Sequence, residues 1–550
     1  MLETRKDSSM KTLRFFSLVV LATLELLAVP AWGATVRGKI VDEKTGGLLP
    51  ARIYIRDASG KWYFPRSSGA GGSALPYQRT FGGNTRATEQ HTTLSAHPFT
   101  VDLGPGRYEV SIERGKEFRV LSEVLTVGDE AVVEVAYKLR RWVNMAGRGW
   151  FSGDTHVHRD PAEIPNVQLA EDVNVVLPVV HWTTTDQIPP SLGPRNFKGE
   201  FGRGLIQADP THVCYPMNSE YEIFTTGGSN HTSGAFVVAH HKRPFEVPVF
   251  PLKRVVDQAR SEGALIDLEK HNWPWSMAVV PIIRPDLFEL SNNHLWRTEF
   301  AVRKWAVPAP AYMGLPQGGL ESEKDWALYG FRTYYALLNC GFRISPSAGT
   351  ANGVHPVPLG FGRVYVHLES GFDFEKWMVG LRAGRSFVTT GPMLIADIQR
   401  ELPGHSFRMK RGEVRQVRVR ATLLSDDPVT SIEFVVNGEV ASQVSFENDS
   451  QRSRIERSAL SDRLALKGSG WVAVRCWSRL ADGRIRFAHT APFYFDVPGE
   501  SPTPTRQEAE FLSLRTREEI QRSRGLLPAA AVAEYEESLR FYEGLKAVAR

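Results

Sequence analysis

Cysteine is scarce in this chain: Cys214, Cys340 and Cys476 stand far apart among 550 residues. An odd, scattered set builds no disulfide framework, and no Cys-x-x-Cys pair offers a metal knuckle. Packed cores must therefore supply the stability. Charge of one sign is also scarce, since 66 Lys plus Arg face 61 Asp plus Glu for a net charge of +5. No basic run concentrates that small excess, which argues against nucleic acid as a partner. Beyond residue 33 no apolar stretch is long enough to form a membrane span. A Gly-x-Ser-x-Gly elbow is missing too, so a serine nucleophile of that type is not expected.

What is present is ordinary globular usage, with 42% hydrophobic and 23% charged residues, which excludes a mainly disordered or collagen-like chain. At about 150 residues per domain, the length predicts several cores. Lys11 and Arg14 precede an apolar run from Phe15 to Val29, and Ala31-Trp32-Gly33 offers small residues for cleavage. Residues 1–33 thus read as a secretory signal peptide, with a periplasmic or extracellular destination. From 34 to 140, short alternating runs such as Arg52-Ile53-Tyr54-Ile55 predict a β-sandwich, in which the Gly-, Ser- and Thr-rich stretch from Arg66 to His91 is expected to be an exposed loop.

From 141 to 402, helical periods alternate with short apolar strands. Leu252, Val255, Val256 and Ala259 recur at helical spacing, Gly263 stops them, and residues 264–268 read as the next strand. The order repeats where a helix ending at Gly341 precedes Phe342-Arg343-Ile344, and where Asp373 caps a helix before Ser386-Phe387-Val388. Repeated units of this kind predict a barrel or layered α/β fold. Alternating strands return from 403 to 497, with a hairpin signal at Asn437-Gly438. After a linker, helices are expected within 498–550. The whole reads as multidomain α/β plus all-β.

The middle region is the chemical suspect. Ten of the fifteen histidines fall between His156 and His355, where uniform scattering would place five or six. In Gly153-Asp154-Thr155-His156-Val157-His158 two imidazoles stand two residues apart, and on a strand such residues share a face, about 7 Å apart. Such a pair can close on one divalent ion. Asp154 shares that spacing and is expected to ligate or to orient a histidine. His181 and His271 follow apolar runs at apparent strand ends, so a barrel would bring them to one face. Asp286 and Glu289, then His294, form a further donor cluster in which His294 is preferred. Glu220 and Glu222 lie at strand spacing, and one of them is expected to bridge ions or activate water. Lys270 is expected to stabilise a developing oxyanion or an anionic substrate group.

The segments GDTHVHRDP, DLEKHNWPWSM, NNHLWR, LLNCGFRISPSAGT and GRSFVTTGPML resemble the CehA/McbA-type metallohydrolases of the PHP superfamily over about residues 141–400. The region from Gly38 to Gly60, with Gly104 to Gly115, resembles carboxypeptidase regulatory-like modules. The first resemblance implies a distorted PHP-like β/α barrel flanked by β-sandwich domains. It implies divalent zinc, manganese or iron, and metal-bound hydroxide acting on an ester, amide, carbamate or phosphoester. Carried onto this chain, the resemblance gives His156, His158, His181, Glu222 or Glu220, and His271 as metal ligands; with His294 added from its own cluster, the expected metal ligands are His156, His158, His181, Glu222, His271 and His294, and Glu222 and Lys270 are the expected catalytic residues. Two departures stand out. Gly234 is followed by Ala235 where the superfamily places histidine, and Gly349-Thr350-Ala351-Asn352 lacks an Asp-x-His ending. His355, His231, His240 and His241 are the nearby candidates to compensate. The expected partner is a small-molecule or glycan substrate. The alternative function is a degenerate barrel that binds glycan or peptide, with Trp150, Trp182, Trp273, Trp275 and Trp296 as stacking surfaces.

Overall fold

A computed structural model describes residues 33–81, 87–192, 202–300, 302, 305–317, 322–446 and 455–550. The signal-peptide reading falls outside these residues except at Gly33. Near the N-terminus, strand Ala34–Asp42 pairs antiparallel with Phe99–Leu103 and parallel with Val132–Leu139. A second sheet centres on Ala51–Asp57 between Thr88–Leu94 and Gly106–Glu113. Alternation turns Val36 and Ile40 of one sheet, and Ile53, Ile55, Val110 and Ile112 of the other, into a shared core. The segment expected to be an exposed loop between Arg66 and His91 instead contains strand Ala74–Thr80, which pairs with Thr88–Leu94. Its polar composition misleads because Glu89 and His91 are buried in a network, where Tyr54 donates to Glu89 and His91 lies 2.9 Å from it.

The central strands follow a nearly closed course. Trp150–Val157 is buried throughout and runs parallel to Val175–Pro178 after helix Ile164–Glu171. The chain then shifts into His181–Thr185, parallel to Ser219–Thr226. Strand Ala235–Ala239 is antiparallel to both its neighbours, Ser219–Thr226 and Leu265–Leu268. Leu287–Ser291 and Ser345–Ala348 continue in parallel. The segment beyond Ala348 returns to the first strand, Ala351 N donating to His156 O and Asn352 O accepting from His158 N, each at 2.7 Å. Helix Leu252–Glu262 ends at Gly263 with a positive φ of 74°, and Asp373 caps helix Phe374–Arg382 through Lys376 N. The strand expected at Phe342–Ile344 begins only at Ser345, whose N–H is held by Asp286 O, while the Phe342 ring packs on Phe541.

The C-terminal strands do not form a separate sandwich beginning near residue 403. Ser386–Thr389 pairs antiparallel with Ile485–Thr490, so one sheet runs from the Trp150 strand through Arg363–His367 into Gly470–Arg479 and Val429–Val436. A three-stranded layer of Met393–Ile398, Val414–Ser425 and Ile455–Lys467 covers it, with Leu394, Leu423, Phe434 and Val474 between them. Asn437 and Gly438 both take positive φ, 48° and 96°, in the hairpin turn. Helices Arg506–Arg522 and Ala529–Lys546 pack on the central region: Glu534 accepts from Leu252 N and Lys253 N, and Tyr542 donates to Met277 O.

His489 joins these regions. Its Nδ1 donates to Thr490 O and its Nε2 accepts from Tyr335 Oη, both at 2.7 Å. Burial lowers the imidazole from 6.5 to about 3, so it is neutral when folded and protonates when unfolded. Its stabilisation is complete above pH 6.5 and declines as pH falls toward about 3, at about 1.4 kcal/mol per pH unit. His489→Gln should shrink the loss of urea stability between about pH 7 and about pH 5 by roughly 2 kcal/mol. An equal loss in both proteins would refute this linkage.

Candidate metal centre

The residues that converge come from four strands or the residues just beyond them. His156 and His158 project from the Trp150 strand with their Nε2 atoms 3.0 Å apart. Glu220, on Ser219–Thr226, brings Oε2 to 3.1 Å from His158 Nε2 and Oε1 to 3.7 Å from His156 Nε2. Three donor atoms at these separations fit one small cation, because ligands about 2.1 Å from a tetrahedral zinc stand roughly 3.4 Å from each other. Neither Glu220 oxygen accepts a hydrogen bond, although both are buried. A buried carboxylate is rarely left so, and a cation is the partner such oxygens suit.

A second triad uses the other face of the same imidazole. His156 Nδ1 lies 3.2 Å from Glu289 Oε1 and 3.3 Å from Glu269 Oε2. One neutral imidazole offers a single lone pair. An Nδ1–H bond to Glu289 fixes the tautomer that turns the Nε2 lone pair toward His158 and Glu220. The geometry therefore favours His156, His158 and Glu220 as ligands, with Glu289 and Glu269 orienting His156. Lys270 donates to Glu269, and its Nζ lies 3.6 Å from Glu222 and 3.8 Å from Glu220.

Electrostatics follows from burial against charge. Burial alone would lower the His156 imidazole, but Glu269, Glu220 and Glu289 hold it well above its ordinary value. Burial alone would raise Glu220, yet His156 and His158 hold it well below the carboxylate range. Glu269 is pushed well up by burial and Glu220, and Glu222 is raised to about 7 by the same two causes. Asp267 rises to about 8 through burial and Glu289. Glu269, Glu222 and Asp267 thus hold their protons more tightly than free carboxyls, while Glu220 gives its proton up more readily.

The remaining residues singled out in the sequence lie as follows. Glu222 faces Lys270 at the more open end, with 14% of its side chain exposed. His181 is paired with Ser219, whose Oγ bonds His241 Nε2 at 2.9 Å, while the next pair, Trp182 and Glu220, carries the Trp182 ring to 5.0 Å from His158. Strand alternation thus sets His181 on the face away from Glu220. His271 lies 5.0 Å from the rings of Trp326 and Tyr329, and burial lowers it to about 3. His294 sits 5.2 Å from Trp326 and 5.9 Å from His355, also lowered to about 3 by burial and then Lys270. Neither His271 nor His294 belongs to the two triads. Asp286 accepts from Ile266 N, away from the cluster. Asp154 accepts from Thr350 N and Oγ1, Gly360 N and His156 N, so it fixes backbone rather than an imidazole.

Sequence reasoning passed over Glu269. Its signal is parity with Asp267 on Leu265–Leu268, whose Oδ1 accepts from Ser347 Oγ at 2.7 Å. Parity then fails at Lys270, where a left-handed φ of 49° turns the chain. Lys270 thereby enters the cluster and His271 leaves it.

No protein-family model matches the chain, and no curated protein matches it. Among solved structures, the chain is similar to a two-domain protein from Bacteroides vulgatus containing a predicted PHP-like metal-dependent phosphoesterase. That similarity has 9% identity, 63% coverage of this chain, 94% coverage of the other and a TM-score of 0.30.

Gly349 is required by close approach. A Cβ there would lie 1.8 Å from Glu289 Oε1 and 2.4 Å from His156 Cβ. Gly349→Ala should cost about 1–3 kcal/mol by overpacking, read as a lower urea midpoint. An unchanged midpoint would show that the cluster yields freely.

Proposed function

We propose that the protein is a metal-dependent hydrolase, with a divalent zinc, manganese or iron ion held by His156, His158 and Glu220. The observation that carries this reading is the convergence of two imidazole nitrogens with a buried carboxylate whose oxygens accept no hydrogen bond. A divalent ion bound there supplies Lewis acidity and acidifies water. Around it, Glu289 and Glu269 hold the His156 ring. Glu222, raised to about 7 by burial and Glu220, can take up and return a proton near neutral pH. Lys270 keeps a positive charge 3.6 Å from Glu222, suited to an oxyanion or an anionic substrate group. Trp182 beside His158 and Trp273 beside Lys270 give the site aromatic walls for a small molecule or glycan.

The substrate class proposed is an ester, amide, carbamate or phosphoester. Export to the periplasm or beyond rests on the apolar leader alone. Among the described residues no helix is long and apolar enough to cross a membrane. A second reading, a degenerate binder of glycan or peptide, is favoured by the loop at residues 349–352. There Thr350 Oγ1 is spent on Asp154 and Asn352 Nδ2 on Val357 O.

Elemental analysis joined to an ester, carbamate and phosphoester panel separates the two. Near-stoichiometric metal and metal-dependent turnover are expected. His156→Ala with His158→Ala should abolish both while preserving the circular dichroism spectrum. A metal-free wild type without metal-dependent turnover would sink the hydrolase.

Glu222→Gln should retain the metal but lower kcat by about a hundredfold or more if the carboxylate moves the proton. Wild-type turnover in this variant would remove Glu222 from the chemistry.

A further inference from the structure

The N-terminal module reaches directly into the loop that closes the strand circuit. Tyr77, on strand Ala74–Thr80, is buried at 3% exposure. Its Oη donates to His355 O at 2.6 Å and accepts from Gly353 N at 2.9 Å. Arg79 Nε donates to Gly353 O at 2.6 Å. Next along the same strand direction, the Phe81 ring stacks on the His355 ring at 5.2 Å and 20°. These contacts converge on Gly353 and His355, next to Asn352, whose O accepts from His158 N at 2.7 Å and so ties this segment to the centre's second histidine.

The fit is close enough to be specific. Gly353 has φ +112°, and a Cβ on it would lie 2.3 Å from His158 O. The loop backbone is therefore pressed against the His158 backbone on one side and bonded to Tyr77 on the other. Tyr77 itself has little freedom, since His91 stacks on its ring at 5.2 Å and the Arg159 guanidinium lies 5.0 Å from its centroid. The rest of the module is fastened elsewhere, through Arg52 to Glu171 and Arg114 to Asp172 and Leu169 O. None of these contacts involves Tyr77.

We propose that the N-terminal module is a working part of the metal centre, and that Tyr77 is a positioning residue that sets the backbone between His158 and His355. The proposal rests on the metal-centre reading above. The Tyr77 hydroxyl bonds backbone at Gly353 and His355 rather than any of the three ligand side chains; it acts by fixing where His158 starts and where the His355 ring stands beside the site. A tyrosine ring without its hydroxyl would keep the stacking on His91 and lose both bonds to the loop.

Tyr77→Phe in the full chain tests this with cobalt(II) as the probe, by chelator competition and by the visible absorption of the bound ion. Cobalt should bind about tenfold to a hundredfold more weakly, the range for losing an outer support of a ligand, with an altered absorption band. Arg79→Gln should move both readouts in the same direction. Arg114→Gln, which loosens the same module at its other contact, should leave the band unchanged. Wild-type affinity and band in Tyr77→Phe would overturn the proposal, as would an equal effect from Arg114→Gln. If the wild type binds no cobalt, the hydrolase reading falls. Imidazole nitrogen NMR signals of the metal-free protein then decide alone: shifted His158 and His355 signals in Tyr77→Phe support positioning, and unmoved signals overturn it.

Discussion

Charge taken out of water is costly, by several kcal/mol per ion even after relaxation, and the strand ends of this protein bury Glu220, Glu269, Glu289 and Asp267 together. Facing them are His156, His158 and the Lys270 ammonium. That imbalance is the constraint the surrounding structure accommodates. Asp154 accepts four hydrogen bonds and ties the loop at Thr350 and Gly360 to the backbone of His156. Gly349 leaves room for Glu289 where any side chain would collide. Thr155 and Ser347 both donate to Asp267.

A site so charged needs rigid walls, and these come from both flanks. On the N-terminal side Arg52 bridges Glu113 and Glu171, while Arg297, just beyond Trp296, bonds Glu113. Breaking one member of such a buried set strands its partners without compensation, so the module and the central strands form one electrostatic unit. On the C-terminal side the sheet itself is continuous from Ser386–Thr389 into Ile485–Thr490. Arg484 bonds Glu323, at the start of the helix that packs beside Leu287–Ser291. The flanking β-layers therefore brace the catalytic suspects rather than hang from them.

Local signals in the sequence were legible where local physics decides. Alternation in Ile53 and Ile55, the helix stop at Gly263, the cap at Asp373 and the Asn437-Gly438 turn all act within a few residues. His156 and His158 belong to the same class, because one strand places both. What could not be read depends on partners distant in sequence. Glu220 rather than Glu222 meets the histidines because the pairing of Trp182 with Glu220 sets the depth of that strand. Strand Ala74–Thr80 looks like a loop until the central region buries its neighbour's polar side chains. The strand continuity past residue 403 is invisible because both halves of the sheet show the same alternation.

Lys270 shows how a single backbone angle reorganises the chemistry. An unbroken strand would continue the face of Asp267 and Glu269 through residue 271, placing a third imidazole among the carboxylates. The left-handed φ of 49° at Lys270 substitutes an ammonium for that imidazole, and burial among Trp326 and Tyr329 keeps His271 neutral. A fixed positive charge offsets one carboxylate permanently, which an imidazole of ordinary pKa does not do at neutral pH. Glu269, Glu222 and Asp267 nonetheless hold their protons more tightly than usual, so Lys270 alone leaves the negative charge in excess. Protons or a divalent cation must supply the difference. Only the cation also gives the Glu220 oxygens, which accept no hydrogen bond, and the facing Nε2 atoms of His156 and His158 a common acceptor for their lone pairs.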